Sequence, residues 1–224
     1  MSRISRLDAV ISMRDSGVVP LYYHPDVEVC KNVIRACYEG GLKIFEFTNR
    51  GDFAHEVFGE LNRWAQKELP DLVLGVGSVI DAGTCSIYIQ MGAAFIVSPL
   101  LNEEMAKVCN RRKVLWMPGC ATVSEISKAE ELGAEVVKIY PAQLLGGPAF
   151  IKAIKGPCPW TRLMPSGGVS PTTENLEEWF DAGAFCVGMG SKLITSEIIR
   201  KEQYDQLSER ARDLVRMVEK IKQK

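Results

Sequence analysis

The sequence predicts an α/β chain folded as a (β/α)8 TIM barrel, with one further helix capping its N-terminal end. Three observations carry that expectation. Eight short apolar runs alternate with amphipathic stretches, at a repeat of roughly 25 residues that matches a small barrel with short loops. The runs are β-branched or aromatic and end near Gly, Pro, Ser or Asn, as strands buried on both faces do. With 46% hydrophobic and 25% charged residues, the chain has ordinary globular composition. A doubly wound open sheet is the competing architecture, but it has fewer strands and calls for a Gly-rich first turn, which HPDVE lacks.

Taken in order, residues 3–16 place Ile4, Leu7 and Ile11 on one helical face, suited to a lid within an N-terminal helix over 1–17. The strand runs begin at Val18, Lys43, Leu72, Phe95, Val114, Val136, Arg162 and Phe185. VEVCKNVIRACYEGG and SEISKAEELGAE read as helices between them, the second with Ser124 as N-cap and Gly133 as stop. A final helix over 197–224 repeats Leu207, Ala211, Leu214, Val218 and Ile221 at 4-3-4-3 spacing, read as docking along the barrel. No composition shift marks a boundary, so 1–224 is expected to be a single domain.

Charge and cysteine usage narrow the function classes. Lys plus Arg total 27 against 28 Asp plus Glu, a net charge of -1, which gives no basic field for nucleic acid or an anionic membrane. No apolar stretch reaches the length of a membrane span, and no h-region opens the chain, so a cytoplasmic protein is expected. The 7 cysteines lack a CxxC pair and read as reduced packing residues. The 2 histidines, His24 and His55, read as a loop and a helix-surface residue, without the spacing of a metal site.

Chemistry in a barrel gathers at the C-terminal ends of strands. KIFEFTNR puts Glu46, Thr48 and Arg50 on one face, with Phe45 and Phe47 opposite. A carboxylate in an apolar strand is costly unless paired or used, and a Glu46–Arg50 ion pair without further role is the competing reading. VVKIYPA sets Lys138 opposite Val137 and Ile139, so an aliphatic face toward the helices turns the amine into the barrel mouth. Desolvation favours a neutral amine, able to attack a carbonyl and form a Schiff base; a lysine paired for structure is the alternative. PSGGV from Pro165 and GMGS ending at Ser191 follow the seventh and eighth runs, where barrels hold phosphate. GVGS offers the Ser78 hydroxyl at a strand end, either for a ligand or as a helix N-cap.

EFTNR, GVGSV, VSP, MPG, VVKIYPA, PSGGV and GMGSKL, in this order from about Arg6 to Leu193, resemble the class I 2-keto-3-deoxy-6-phosphogluconate (KDPG) and 4-hydroxy-2-oxoglutarate (KHG) aldolase family. The resemblance implies Lys138 as Schiff-base lysine and Glu46 as acid–base residue. It implies Arg50 and Ser78 for the substrate carboxylate, with Pro99 and Tyr140 also at the substrate. Ser166, Gly167, Gly168, Gly190 and Ser191 are implied for a distal phosphate. It further implies a phosphorylated 2-oxo acid substrate, no metal or organic cofactor, and a homotrimer, for which Phe53, Phe58 and Trp64 read equally as exposed contact groups or as helix-to-barrel packing. Asn49 and Gly51 depart from the family pattern, Ser replaces Thr at 78 and 166, and Met189 is an extra residue between Gly188 and Gly190. A phosphate-binding barrel isomerase or synthase would explain the glycine loops equally well but leaves Glu46 and Lys138 without a task. A barrel that binds a metabolite without turning it over is the third reading.

Overall fold

The computed structural model describes residues 4–223; Met1, Ser2, Arg3 and Lys224 lie outside the described residues, including the first residue of the predicted helix over 3–16. The first half runs α1 (Arg6–Ser16), β1 (Val18–Tyr22), α2 (Val27–Glu39), β2 (Ile44–Thr48), α3 (Ala54–Glu68), β3 (Val73–Gly77), α4 (Ala82–Gln90), β4 (Phe95–Val97) and α5 (Glu103–Arg112). The second half runs β5 (Leu115–Met117), β6 (Gly119–Cys120), α6 (Val123–Glu131), β7 (Val137–Ile139), a 3-10 turn (Ala142–Leu145), α7 (Pro148–Lys155), β8 (Leu163–Pro165), α8 (Thr173–Asp181), β9 (Val187–Met189), α9 (Ser196–Arg200) and α10 (Tyr204–Lys222). All eight predicted runs are strands. The fifth divides into β5 and β6 at Pro118, which has no N–H to give to a ladder.

The strands make a curled parallel sheet in an α/β fold. β5-β4-β3-β2-β1-β9 are hydrogen-bonded neighbours, as are β6-β7-β8, and a parallel bridge from Ser166 to Gly188 joins the two sets. This order is sequential, unlike that of a doubly wound sheet. Alternation along each strand makes two cores. Phe45, Phe47, Val137 and Ile139 face the helices, whereas Val19, Ile44, Val73, Phe95, Leu115, Val136, Met164 and Cys186 form an inner cluster. That inner cluster takes a residue from every one of the eight runs.

Helix α1 joins the inner cluster through Ala9 and Met13, not through the predicted face: Ile4 packs there in part, but Leu7 is 69% and Ile11 45% exposed. The small Ala9 one turn before the slender Met13 lets the helix lie close to β1, β2 and β5, and that decides which face is buried. The cap of α6 is Thr122 rather than Ser124. Thr122 accepts from Glu125 N at 3.2 Å and Glu125 accepts from Thr122 N at 2.9 Å, a reciprocal box that satisfies two orphan donors where Ser124 would satisfy one. The predicted helix over 197–224 is two, α9 and α10, separated where Glu202 takes φ 53. Leu207, Ala211, Leu214, Val218 and Ile221 are buried as expected, with α10 packed on α2 and α8. Of the three helix aromatics, Phe58 takes the packing alternative and is core; Trp64 is half-buried beneath Arg35, and Phe53 is exposed.

Candidate active site

The central strands β2 and β7 bring Glu46 and Lys138 to the same interior. Their side chains are 1% and 9% exposed, with Nζ 3.9 Å from Oε1. The other carboxylate oxygen, Oε2, is buried without a hydrogen-bond partner. Burial pushes the Glu46 carboxyl above the ordinary carboxylate range, and the positive charges of Lys138 and Arg50 only partly oppose it. Room for this carboxylate comes from the neighbouring strand: a Cβ on Gly77 would run into the Glu46 carboxyl group. The Lys138 ammonium lies 5.3 Å from the ring centroid of Tyr140.

Glu46 therefore pairs with Lys138 rather than with Arg50. Arg50, exposed past the end of β2, donates from Nε to Ser78 Oγ at 3.3 Å. Ser78 sits at φ 59, and the N-cap of α4 is Asp81, which accepts from Thr84 N at 2.8 Å, so the capping alternative for Ser78 is overturned. Asp81 is three residues nearer the helix, where an N-cap side chain can reach the free N–H groups. Asn49, one of the departures from the family pattern, accepts from the hydroxyl of buried Tyr88 at 2.7 Å, which ties down the turn that carries Arg50.

A cavity of about 670 Å³ opens beside this pair, with Thr48, Arg50, Tyr140, Ser166, Gly167 and Gly168 among its walls. Gly167 and Gly168 take φ 92 and 95, a left-handed pair that favours glycine. Their loop is held to the 3-10 turn by Ala142 N to Ser166 O and Gln143 N to Gly167 O, both 3.0 Å. The extra residue Met189 points outward into the helix-side core, so Gly188 and Gly190 still face the cavity together with Ser191. Lys138, Glu46 and Ser78 lie behind this wall rather than in it. Pro99 is also outside it, half-buried after β4 with its main chain against Gly119.

Residues 10–210 match the family described as KDPG and KHG aldolase. The chain belongs to that family. The KHG/KDPG aldolase of Escherichia coli K12 is 30% identical over 199 residues, covering 88% of this chain and 90% of that protein. The KDPG aldolase of Legionella pneumophila, solved with pyruvate captured as a covalent carbinolamine intermediate, superposes with a TM-score of 0.83 at 27% identity, covering 92% of this chain and 97% of that one. The KDPG aldolase of Zymomonas mobilis ZM4, solved with 3-phosphoglycerate, gives 0.79 at 26% identity over 92% and 96% of the two chains.

Within this aldolase fold, sequence reasoning missed several polar groups at the cavity, among them Tyr22 at the end of β1, Tyr23 just past it, Lys192 in the turn after β9, and Ser196 and Arg200 on α9. The tyrosines end an apolar strand run, and that position alone was a signal. Lys192 lies inside GMGSKL, but Arg200 had none, because its placement depends on the break between α9 and α10. Burial lifts the Tyr22 phenol to about 12, so it stays a neutral hydrogen-bonding group. His24 Nδ1 accepts from Asp26 N at 3.1 Å and its ring stacks on Tyr22, while His55 is exposed on α3. Among the described residues no three His, Cys, Asp or Glu side chains gather as a metal site, and all 7 cysteines are free.

Proposed function

We propose that this chain is a carbon–carbon lyase of the Schiff-base class, cleaving 2-dehydro-3-deoxy-6-phosphogluconate to pyruvate and glyceraldehyde 3-phosphate. By the names of its relatives, 4-hydroxy-2-oxoglutarate is a second substrate, giving pyruvate and glyoxylate. The observation that carries the reading is the buried amine–carboxylate pair: Lys138 and Glu46, 3.9 Å apart beside a cavity of substrate size. The Lys138 amine attacks the C2 ketone, and loss of water from the carbinolamine leaves a protonated imine. Glu46, directly or through water, takes the C4 hydroxyl proton as the C3–C4 bond breaks, and the electron pair moves into an enamine. Protonation at C3 and hydrolysis release pyruvate and restore the amine. A carboxyl lifted by burial suits both halves of that proton traffic. Arg50 and Ser78 hold the substrate carboxylate, Pro99 and Tyr140 border the reacting carbons, and Ser166, Gly167, Gly168, Gly190 and Ser191 hold the phosphate. The imine is the electron sink, so the chemistry needs no organic cofactor or metal.

The scaffold is a closed (β/α)8 barrel in one domain, 1–224, with α1 across its N-terminal end. Support for closure comes from the Ser166–Gly188 bridge, the adjacency of β5 and β6 across Pro118, and the inner cluster fed by all eight runs. The assembly is a homotrimer, on the family resemblance; a monomer mass in light scattering would overturn it. The location is cytoplasmic; no helix among the described residues is long and apolar enough to cross a membrane. The deciding experiment treats the protein with pyruvate and borohydride and maps the modified peptide. An adduct on Lys138 is expected, and its absence there overturns the mechanism.

A further inference from the structure

The walls of the cavity carry three cationic side chains, Arg50, Lys192 and Arg200, and no carboxylate, in a chain whose net charge is -1. Arg50 is engaged by Ser78. Lys192 and Arg200 enter none of the side-chain hydrogen bonds or ion pairs found among the described residues, although Lys192 O accepts from Arg210 at 2.8 Å. The contrast within one short helix is informative. Ser196, Ile199 and Arg200 share the cavity face of α9 by their i, i+3, i+4 spacing, and Ile198 is buried behind them. Glu197 and Lys201 pair with each other at 2.8 Å elsewhere on the helix. The cation next in sequence is thus neutralised, while the one on the cavity is left without a partner. The break at Glu202, φ 53, separates α9 from α10 and frees it from α10's direction.

We propose that Lys192 and Arg200 are specificity-determining residues: a side-chain clamp on the outer anion of the substrate, selecting 2-oxo acids that end in a phosphate dianion. The clamp rests on the aldolase reading above and adds to it two residues to which neither motif nor resemblance gave a role. Ser191 and Lys192 are consecutive, so one turn presents the hydroxyl and the ammonium together, and Arg200 approaches from α9. The glycine loop 167–168 supplies uncharged N–H donors that accommodate any anion. Two exposed cations add preference for the doubly charged one. Because both side chains are exposed, the preference is screened by salt.

The test compares kcat/KM for 2-dehydro-3-deoxy-6-phosphogluconate with that for its unphosphorylated counterpart and for the carboxylate-ended 4-hydroxy-2-oxoglutarate. The variants are Lys192→Ala, Arg200→Ala, the double variant, and Lys201→Ala as a control on the paired position. The phosphorylated-to-unphosphorylated ratio is expected to fall about tenfold for each cavity variant and up to about a hundredfold for the double variant at low salt. The carboxylate-ended substrate is expected to lose less than the phosphorylated one, and Lys201→Ala to keep the wild-type ratio. A ratio unchanged in the double variant overturns the clamp. A separate calorimetric titration with inorganic phosphate distinguishes this failure from failure of the aldolase reading. If the wild-type protein releases no pyruvate from any of the three, the aldolase reading falls, and weaker phosphate binding in the double variant still supports the anion site. Equal phosphate affinity in both proteins overturns it.

Discussion

Behind the cavity wall, at the inner end of the site, two opposite charges face each other in a space that admits almost no solvent; at the outer end two like charges stand in water beside a glycine loop. Lys138 and Glu46 are buried because the strands leave them nowhere else to go, and each is the other's ion-pair partner. Lys192 and Arg200 cost almost nothing to place, since an exposed cation keeps its hydration. The difference separates two tasks. The inner pair makes and breaks bonds and depends on its geometry, whereas the outer groups decide which molecules stay long enough to react. Substitutions at the inner end should therefore act on kcat for every substrate, and those at the outer end chiefly on KM for phosphorylated ones.

The largest effect belongs to Lys138→Met, which removes the nucleophile while keeping the bulk of the side chain. Turnover of both 2-oxo acids in a coupled dehydrogenase measurement should vanish, together with the borohydride adduct. Residual pyruvate release at a substantial rate would break the comparison, since the inner end would then not be where bonds change. Glu46→Gln comes next, with kcat lower by about 10² to 10⁴ for both substrates. Glu46 also sets the pH dependence. As the base it must be ionised, so activity falls as pH drops through its carboxyl pKa. Burial raises that value, so the decline begins at a higher pH than for an exposed glutamate. In Glu46→Gln that acid limb should disappear from the kcat profile, and its persistence would assign the limb to another group.

The same contrast explains how much was legible beforehand. Eight strand runs and the inward faces of Glu46 and Lys138 follow from period-2 alternation and from the cost of burying charge, both of which leave marks in a sequence. The glycine pair at 167 and 168 was readable because only glycine takes left-handed φ at two successive positions without strain. The face of α1 was misjudged because Leu7 and Ile11 are large and apolar, while close approach to β5 selects Ala9 and Met13. Ser124 lost its cap to a threonine two residues earlier that completes a reciprocal box. Arg200 could not be read at all. An exposed arginine has no burial signature, and its place at the cavity depends on a helix break at a glutamate, which carries no turn signal of its own.

Gly77→Ala sharpens the inner half without touching a reacting group. The new methyl would collide with the Glu46 carboxyl group, so the carboxylate must move relative to Lys138. A misplacement of about 1 Å is expected to lower kcat on the order of a hundredfold, with KM for the phosphorylated substrate little changed. If both parameters change equally, Gly77 acts on the fold rather than through Glu46. Gly168→Asp probes the outer half. A side chain there meets Gln143 and adds a negative charge beside the phosphate. Loss of one or two charge-assisted hydrogen bonds should weaken the phosphorylated substrate about ten- to a thousandfold, with 4-hydroxy-2-oxoglutarate affected far less. Equal losses at an unchanged melting temperature would place the phosphate elsewhere.

Ser191→Ala is the smallest change and tests how the outer end divides its work between main chain and side chains. Ser191 lines the cavity and is exposed, so its hydroxyl can donate one hydrogen bond to the phosphate. Removing it leaves the N–H groups of the glycine loop and the two cations in place, and water can reach the vacated position. Under those conditions a single hydrogen bond contributes about 0.5–1.5 kcal/mol. KM for the phosphorylated substrate should therefore rise about two- to tenfold, with kcat unchanged and the unphosphorylated substrate untouched. Raising the salt concentration should leave this effect intact, because a neutral donor is lost. The same change in salt should shrink the effect of Arg200→Ala, where a charge is lost. A fall in kcat after Ser191→Ala as large as that of Glu46→Gln would mean that the hydroxyl acts on the reacting carbons. The separation of the two ends into chemistry and selection would then fail.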